Sequence, residues 1–219
     1  MPLEVQDKIE THVVFILDNS GSMANIAENA KAFFNEQLAT LQASTNENMR
    51  NFVNLVGFDS SIVVEIRNKD ANEVKPLERY RIAGSTALYD AIAEGVKLLD
   101  EVTPTSSDVA YLVVIVTDGG ENASQEYSIQ RDGKSRIQSL IADRRERGNW
   151  TFTFMGSEKD TFDVATSLNI PVANVVMFAA TAAGVDQASS VQSSSTGRYL
   201  ESRSRGLVAT ESFYGGDNQ

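Results

Sequence analysis

The residues best suited to chemistry are oxygen-bearing side chains in three short polar segments. In chain order they are Asp18, Ser20, Ser22, Thr86 and Asp118. Two carboxylates and three hydroxyls are hard oxygen donors, which suit Mg²⁺, Mn²⁺ or Ca²⁺ better than Zn²⁺ or copper. The spacing of Ser20 and Ser22 points both hydroxyls inward, and Gly21 lets the backbone turn between them. The sequence therefore predicts a divalent-cation site, provided that the fold brings the three segments together.

The two aspartates each follow an apolar run of the kind that forms a buried strand. Residues 13–17 precede Asp18, and residues 111–116 and Thr117 precede Asp118. Continuous apolar runs are typical of parallel strands that are covered on both faces. Ligands of an open α/β sheet bind beyond the carboxyl ends of its strands, beside the point where the strand order reverses. We therefore expect these two strands to be neighbours and their aspartates to share one crevice.

Strand patterns alternate with helix patterns along most of the chain. Strands are predicted at residues 13–17, 52–58, 62–66, 111–116, 150–155 and 175–178. Helices are predicted at residues 26–43, 88–103, 135–147 and 162–168 and after Thr181, which is expected to cap the last one. The alternation predicts an α/β fold with a doubly wound, mostly parallel central sheet and helices on both faces. Residues 62–66 alternate in polarity, which is typical of one antiparallel edge strand.

Composition narrows the classes of partner. The chain has 219 residues, 19 Lys and Arg against 30 Asp and Glu, a net charge of −11 and no Cys. The negative charge argues against nucleic acid or an anionic membrane as partner, and the lack of Cys excludes disulfides and thiolate metal sites. No apolar run approaches transmembrane length and the N-terminus does not resemble a signal peptide. We expect a soluble, cytoplasmic protein.

Three parts of the chain are predicted. Residues 1–10 form an N-terminal extension, residues 11–188 the main domain, and residues 189–219 an extension of the last helix and a tail. The tail is serine-rich and then basic, and either mobility or docking fits it. Its arginines are expected on a solvated face.

The chemistry-bearing residues resemble a known family. Asp18-Asn19-Ser20-Gly21-Ser22 matches the Asp-x-Ser-x-Ser signature of von Willebrand factor type A (VWA) domains, Thr86 resembles the family's threonine, and Asp118 resembles its final aspartate. The resemblance covers roughly residues 11–181. It implies a Rossmann-like sheet with an intact metal-ion-dependent adhesion site.

The resemblance also implies how that site works. It holds one divalent cation, Mg²⁺ before Mn²⁺ or Ca²⁺, whose last coordination position takes an Asp or Glu carboxylate of a partner protein. Ser20, Ser22 and Thr86 would be direct ligands, and Asp18 and Asp118 would bind directly or through water. The chain looks like stand-alone cytosolic members of bacteria and phages, some of which work with AAA+ ATPases or in assembly systems.

Simpler interpretations exist for several of these residues. Asp18, Ser20, Ser22 and Thr86 could be helix caps, and Asp90 could be a first-turn carboxylate that the helix dipole stabilises. Glu121, Asn122 and Glu126 are expected to form a solvated acidic loop, with partner selection as the alternative. His12, the only histidine, is expected to be structural and to lie at the start of the first strand.

The function predicted from these residues is a metal-dependent protein-binding module rather than an enzyme. One alternative is a structural or assembly subunit of a phage particle or a larger complex. A metal-dependent hydrolase or phosphoryl-transfer enzyme is disfavoured: phosphatases that form an aspartyl-phosphate need a second carboxylate where this chain has Ser20, and neither a phosphate-binding glycine loop nor a general base is evident.

Overall fold

A central sheet organises the computed structural model, which describes residues 8–157 and 161–215. In this part of the chain the sheet has six strands in the order β3-β2-β1-β4-β5-β6. Their bounds are Ile9–Asp18 (β1), Met49–Phe58 (β2), Ile62–Asp70 (β3), Val109–Thr117 (β4), Trp150–Ser157 (β5) and Val175–Phe178 (β6). All neighbouring pairs are parallel except β2 and β3, which form an antiparallel hairpin. The predicted α/β fold with one antiparallel edge strand is confirmed.

Five helices cover the two faces of the sheet in the described residues. They are Ala27–Ser44 (α1), Leu88–Asp100 (α2), Gly133–Arg145 (α3), Thr161–Ser167 (α4) and Ala182–Ser204 (α5). One apolar core lies between the sheet and helices α1 and α5, and the other lies under α2, α3 and α4. Because β1 and β4 contribute side chains to both cores, their runs are apolar at every position rather than at alternate ones.

The predicted element types are confirmed, and most boundaries extend beyond the apolar runs. β1 begins at Ile9 because the buried polar residues Glu10, Thr11 and His12 continue the strand. Of the predicted N-terminal extension, residues 1–7 lie outside the described residues. The Thr181 hydroxyl accepts a hydrogen bond from Gly184 N at 3.2 Å, which confirms the predicted cap of α5. No helix of the described chain has the length and apolar character needed to cross a bilayer.

The end of the chain packs against the sheet as far as residue 215, and residues 216–219 lie outside the described part. Asn174 is the anchor: its side chain donates to Thr210 O at 2.8 Å and accepts from Phe213 N at 2.7 Å. Phe213 is only 3% exposed. Phe213 therefore contacts the body of the domain, and the choice between a mobile and a docking tail stays a prediction.

The expectation that the tail arginines lie on a solvated face is wrong for Arg203, which is 1% exposed. Its guanidinium donates to the Asp108 carboxylate at 2.6 Å and to the main-chain oxygen of Glu10 at 3.4 Å. The cause is the direction of α5, which carries the arginine to the amino ends of β1 and β4. Sequence periodicity does not indicate which face of a weakly amphipathic helix meets the sheet.

Candidate metal centre

The candidate site lies where β1 and β4 end side by side. The two strands pair in parallel, with Leu17 opposite Val116. Asp18 and Thr117 are the next residues of the two strands and therefore lie side by side. Asp118 follows directly after β4. Parallel strands gather their carboxyl ends at one edge of the sheet, and the crevice beyond that edge is the usual ligand position in this architecture.

Asp18 forms the buried floor of the site, with a side chain that solvent does not reach. One carboxylate oxygen accepts a hydrogen bond from Ser20 N at 2.7 Å, and the other accepts from Thr117 Oγ1 at 2.5 Å. Burial raises the pKa of Asp18 and the nearby charge of Asp118 adds to this, although the hydrogen bonds from Thr117 and Ser20 oppose it. A cation placed above this carboxylate would offset the penalty that burial imposes on its charge.

Ser20, Ser22 and Asp118 form a chain of oxygen atoms that leads to the surface. The hydroxyl oxygens of Ser20 and Ser22 are 3.1 Å apart, and the Ser22 hydroxyl donates to Asp118 Oδ1 at 2.5 Å. Ser20 is buried whereas Ser22 is exposed. The site therefore has a buried inner side and a face that opens to solvent.

Thr86 joins the site from the segment before α2. A Cβ atom at Gly119 would lie 3.6 Å from Thr86 Oγ1 and 3.9 Å from Ser22 Oγ, so the three loops meet around this glycine. The first two loops are also tied directly, because Gly21 N donates to Gly84 O at 3.1 Å. The fold thus brings together all five of the residues that the sequence predicts.

The donor set fits a hard divalent cation. Three hydroxyls and two carboxylates converge, and they are the ligand types that Mg²⁺, Mn²⁺ and Ca²⁺ prefer. No group of three or more His, Cys, Asp or Glu side chains suited to a metal occurs among the described residues. Any cation held here would therefore rely on Ser20, Ser22 and Thr86 as much as on the carboxylates.

Two residues that support the site were not predicted from the sequence. Thr117, which is 2% exposed, holds one oxygen of Asp18. The Tyr80 hydroxyl donates to the main-chain oxygen of Asp18 at 2.7 Å, and burial raises the pKa of this phenol well above its usual value. A hydroxyl at the end of a buried strand was an available signal for Thr117; Tyr80 lies in a long connection where no local pattern indicated its partner.

The interpretation of the site residues as helix caps does not account for their contacts. Ala87, rather than Thr86, occupies the N-cap position of α2, and it supplies no side-chain cap. Ser20 precedes the 3₁₀ turn Gly21–Ile26, but its hydroxyl forms no capping bond there. The Ser20 hydroxyl contacts the Ser22 hydroxyl instead.

Asp90 is a structural residue, as expected, but its hydrogen bonds go to a loop rather than to its own helix. It lies in the first turn of α2, and its carboxylate accepts hydrogen bonds from Gln125 N at 2.7 Å and from Tyr127 N at 2.8 Å. This aspartate therefore fixes the path of the loop that follows Asp118.

The expectation of a solvated acidic loop is wrong for Glu121, which is half-buried, whereas Asn122 is exposed as expected although its side chain is hydrogen-bonded. The Glu121 carboxylate accepts from Tyr89 N at 2.9 Å, and Asn122 Oδ1 accepts from Thr86 N at 2.8 Å. Glu126 is exposed, as expected. The physical reason is that the loop folds back over the start of α2, whose free N–H groups attract acceptors.

His12 is buried near the start of β1, far along the strand from Asp18. Its ring stacks on Phe52 with centroids 4.6 Å apart, and its Nδ1 lies 2.8 Å from Asn68 Oδ1. Burial lowers the pKa of the imidazole. The predicted position of His12 is confirmed, and its contacts are those of a structural residue.

Comparisons with known proteins agree with this architecture. Residues 13–121 match the family model of the von Willebrand factor type A domain. Among curated proteins, none matches the chain in sequence.

Three solved structures illustrate the similarity of fold. A von Willebrand factor type A protein from Catenulispora acidiphila is 19% identical with a TM-score of 0.62, and the match covers 87% of this chain and 43% of that one. The PilB minor pilin from Streptococcus sanguinis is 14% identical with a TM-score of 0.62, covering 91% and 64%. Proximal thread matrix protein 1 from the mussel byssus, described with a zinc-occupied MIDAS motif, is 19% identical with a TM-score of 0.58, covering 90% and 47%.

Because the sequence identities are low, the similarity to these structures supports the fold alone. This chain spans 43% to 64% of the length of those three proteins.

Proposed function

We propose that this chain, a von Willebrand factor type A domain by its family match and its fold, is a metal-dependent protein-binding module. The observation that carries the proposal is the convergence of Asp18, Ser20, Ser22, Thr86 and Asp118 around one crevice whose outer side is open. The partner is a protein that presents an Asp or Glu carboxylate.

The chemistry follows from the donor set. Ser20, Ser22 and Thr86 would hold the cation through neutral oxygens, with Asp18 and Asp118 as direct or water-mediated partners. The three hydroxyls carry no charge, so an ion that reaches the carboxylates through water would keep enough positive charge to attract an external carboxylate. Mg²⁺ is the proposed ion, with Mn²⁺ or Ca²⁺ as alternatives. The zinc-occupied motif of the byssus protein supports divalent-cation binding in this fold without identifying the ion here.

Binding of Mn²⁺, followed by electron paramagnetic resonance, tests the cation site. We expect the wild type to bind one Mn²⁺, and Asp18→Ala and Thr86→Ala to bind it far more weakly. Ser190→Ala, on the exposed side of α5, is the matched control and should bind like the wild type. Equal Mn²⁺ binding by all four proteins would contradict the proposed site.

A carboxylate probe tests the second half of the proposal. A glutamate-containing peptide should change the spectrum of bound Mn²⁺ by replacing a water ligand, whereas the same peptide with Gln for Glu should not. If neither peptide changes the spectrum at millimolar concentration, the site binds metal but does not accept a carboxylate.

An assembly subunit is the second candidate, because solved structures with this fold include a minor pilin and a byssus matrix protein. In that case the cation would stabilise a fixed contact between subunits. Light scattering after size exclusion separates the two functions. An assembly subunit should form oligomers in Mg²⁺ that EDTA dissociates, and a recognition module should stay monomeric in both.

A binding role is proposed in place of catalysis because the only histidine of the sequence, His12, is buried against Phe52 away from the crevice, and the crevice carboxylates are assigned to the cation. A cytoplasmic location, a bacterial or phage source and a link to AAA+ ATPases remain predictions from the sequence.

A further inference from the structure

Thr86 is held by the loop that carries Asp118, not by its own helix. Its main-chain N–H donates to Asn122 Oδ1 at 2.8 Å. Its main-chain oxygen accepts from Asn122 N at 3.0 Å and from Ala123 N at 3.2 Å. Both backbone polar groups of this residue are therefore paired with residues just beyond Asp118.

Glu121 fixes the same loop to the start of α2. One carboxylate oxygen accepts from Tyr89 N at 2.9 Å and from Ser124 Oγ at 2.7 Å. The other accepts from Ala123 N at 3.0 Å and from Ser124 N at 2.7 Å. A carboxylate offers about four acceptor positions, so these contacts use its full capacity.

Asp90 forms a second connection between the same two segments, but here the carboxylate belongs to the helix and the donors belong to the loop. It belongs to α2, and it accepts from the main chain of Gln125 and Tyr127 at 2.7 and 2.8 Å. The start of α2 and the loop after β4 are thus joined by two carboxylates that point in opposite directions, and these bonds stiffen the segment between them.

We propose that Glu121 and Asn122 are positioning residues that set the distance between Thr86 and Asp118 in the candidate metal centre. The inference rests on the proposed function, because it concerns the same cation site. Neither side chain is a ligand in this proposal. They act through Thr86. In the described residues, the hydrogen bonds given for its backbone N–H and main-chain oxygen all go to Asn122 and Ala123.

Two variants separately weaken the contacts of the Glu121 carboxylate and the contact of the Asn122 side chain with Thr86 N. Glu121→Gln keeps the shape of the side chain but turns one acceptor oxygen into a donor, which then faces the N–H or O–H groups that the carboxylate binds. Asn122→Ala removes the bond to Thr86 N, and because Asn122 is exposed this variant is expected to fold. Glu126→Gln is the matched control, since it changes an exposed carboxylate of the same loop.

The measured quantity is the Kd for Mn²⁺, determined on protein whose folded fraction is checked by thermal unfolding. Partners that orient metal ligands typically contribute 10–100-fold to affinity, so Glu121→Gln and Asn122→Ala should each raise Kd by about 10-fold. Glu126→Gln should leave Kd unchanged. A uniform effect of charge on the cation would instead raise Kd similarly in both Gln variants.

A double-mutant cycle with Thr86→Ala asks whether the effect passes through Thr86. If it does, Glu121→Gln or Asn122→Ala should add little once the Thr86 hydroxyl is absent. Additive losses would overturn the inference, as would wild-type affinity in both single variants. In either case Mn²⁺ binding by the wild type would still support the proposed function, whereas a wild type that binds no Mn²⁺ would overturn both.

Discussion

The carboxylate of Asp18 accepts a hydrogen bond from the hydroxyl of Thr117, and the two oxygens are 2.5 Å apart. The bond joins the ends of β1 and β4 beneath the crevice. The Thr117 hydroxyl also accepts from Gly119 N at 3.1 Å, so one side chain orients Asp18 and starts the turn that carries Asp118. Hydrogen bonds to charged acceptors are stronger than those between neutral groups, which makes Thr117 a principal support of the site.

Thr117→Val should destabilise the protein by about 2 kcal/mol in EDTA, because a buried carboxylate loses a donor. It should also weaken Mn²⁺ binding, since Asp18 is then less well oriented. Urea unfolding measures the first effect and paramagnetic resonance the second.

Thr153→Val is the control for this variant. Thr153 is also fully buried, but its hydroxyl donates to a neutral main-chain oxygen, Val113 O, at 3.2 Å. We expect it to cost about 1 kcal/mol and to leave Mn²⁺ affinity unchanged. Equal effects of the two variants on affinity would contradict the role assigned to Thr117.

Asp18→Asn should make the metal-free protein more stable at neutral pH, by about 1 kcal/mol. Burial raises the pKa of Asp18 in the folded state, so the folded protein binds this proton more tightly than the unfolded chain does. The contribution of Asp18 to the stability of the wild type therefore falls as the pH rises from about 4 through the folded pKa. The Asn side chain carries no charge and avoids this loss. Its oxygen can keep the bond from Ser20 N, and its amide can donate to Thr117 Oγ1, whose hydroxyl has Gly119 O as another acceptor at 3.0 Å.

Unfolding in EDTA across this pH range measures the free energy of unfolding of Asp18→Asn and of the wild type. The difference between the two free energies should grow with pH and then level off. In saturating Mg²⁺ the order should reverse, because only the wild type is stabilised by the ion. If the wild type stays more stable than the variant in EDTA at every pH, the buried charge of Asp18 does not destabilise the folded protein.

Asp108→Ala should destabilise the protein by about 3 kcal/mol, because it leaves the charge of Arg203 buried without its partner. The Arg203 side chain is 1% exposed and lies 2.6 Å from the Asp108 carboxylate. Arg205→Ala is the comparison: Arg205 pairs with Glu201 on the same helix, both side chains are more than 60% exposed, and its loss should cost under about 0.5 kcal/mol. Chemical denaturation at one pH separates the two.

Phe213→Ala should destabilise the protein by about 3 kcal/mol, the usual effect of truncating a buried aromatic side chain. Phe213 is 3% exposed and packs beside Tyr199, with ring centroids 5.7 Å apart. Leu207→Ala, in the same tail but 61% exposed, should change stability by less than about 0.5 kcal/mol. If the two variants unfold at the same denaturant concentration, the tail does not pack against the domain in solution as described.

Much of the site was predictable because its residues lie at strand ends. A buried strand ends where its apolar run ends, so Asp18 and Asp118 were identifiable from sequence alone. Thr86 was identifiable as a candidate hydroxyl in the third polar segment, and the family resemblance supported it, since hydroxyls before helices are common. The burial of Glu121 and the bond from Thr86 N to the exposed Asn122 were not predicted, because the N–H groups that this loop covers are known only from the fold.

The sequence by itself determined the order of elements, the parallel sheet and the oxygen donors, since hydrophobic periodicity and the residues at strand ends are local properties. The tertiary structure decided which groups support those donors. Thr117 beneath Asp18, the Asn122 side chain against Thr86 N, and Arg203 against Asp108 all join residues that are distant in the chain or brought together by loops. Such pairings depend on loop paths and helix orientations, which follow from packing the whole chain rather than from any local pattern.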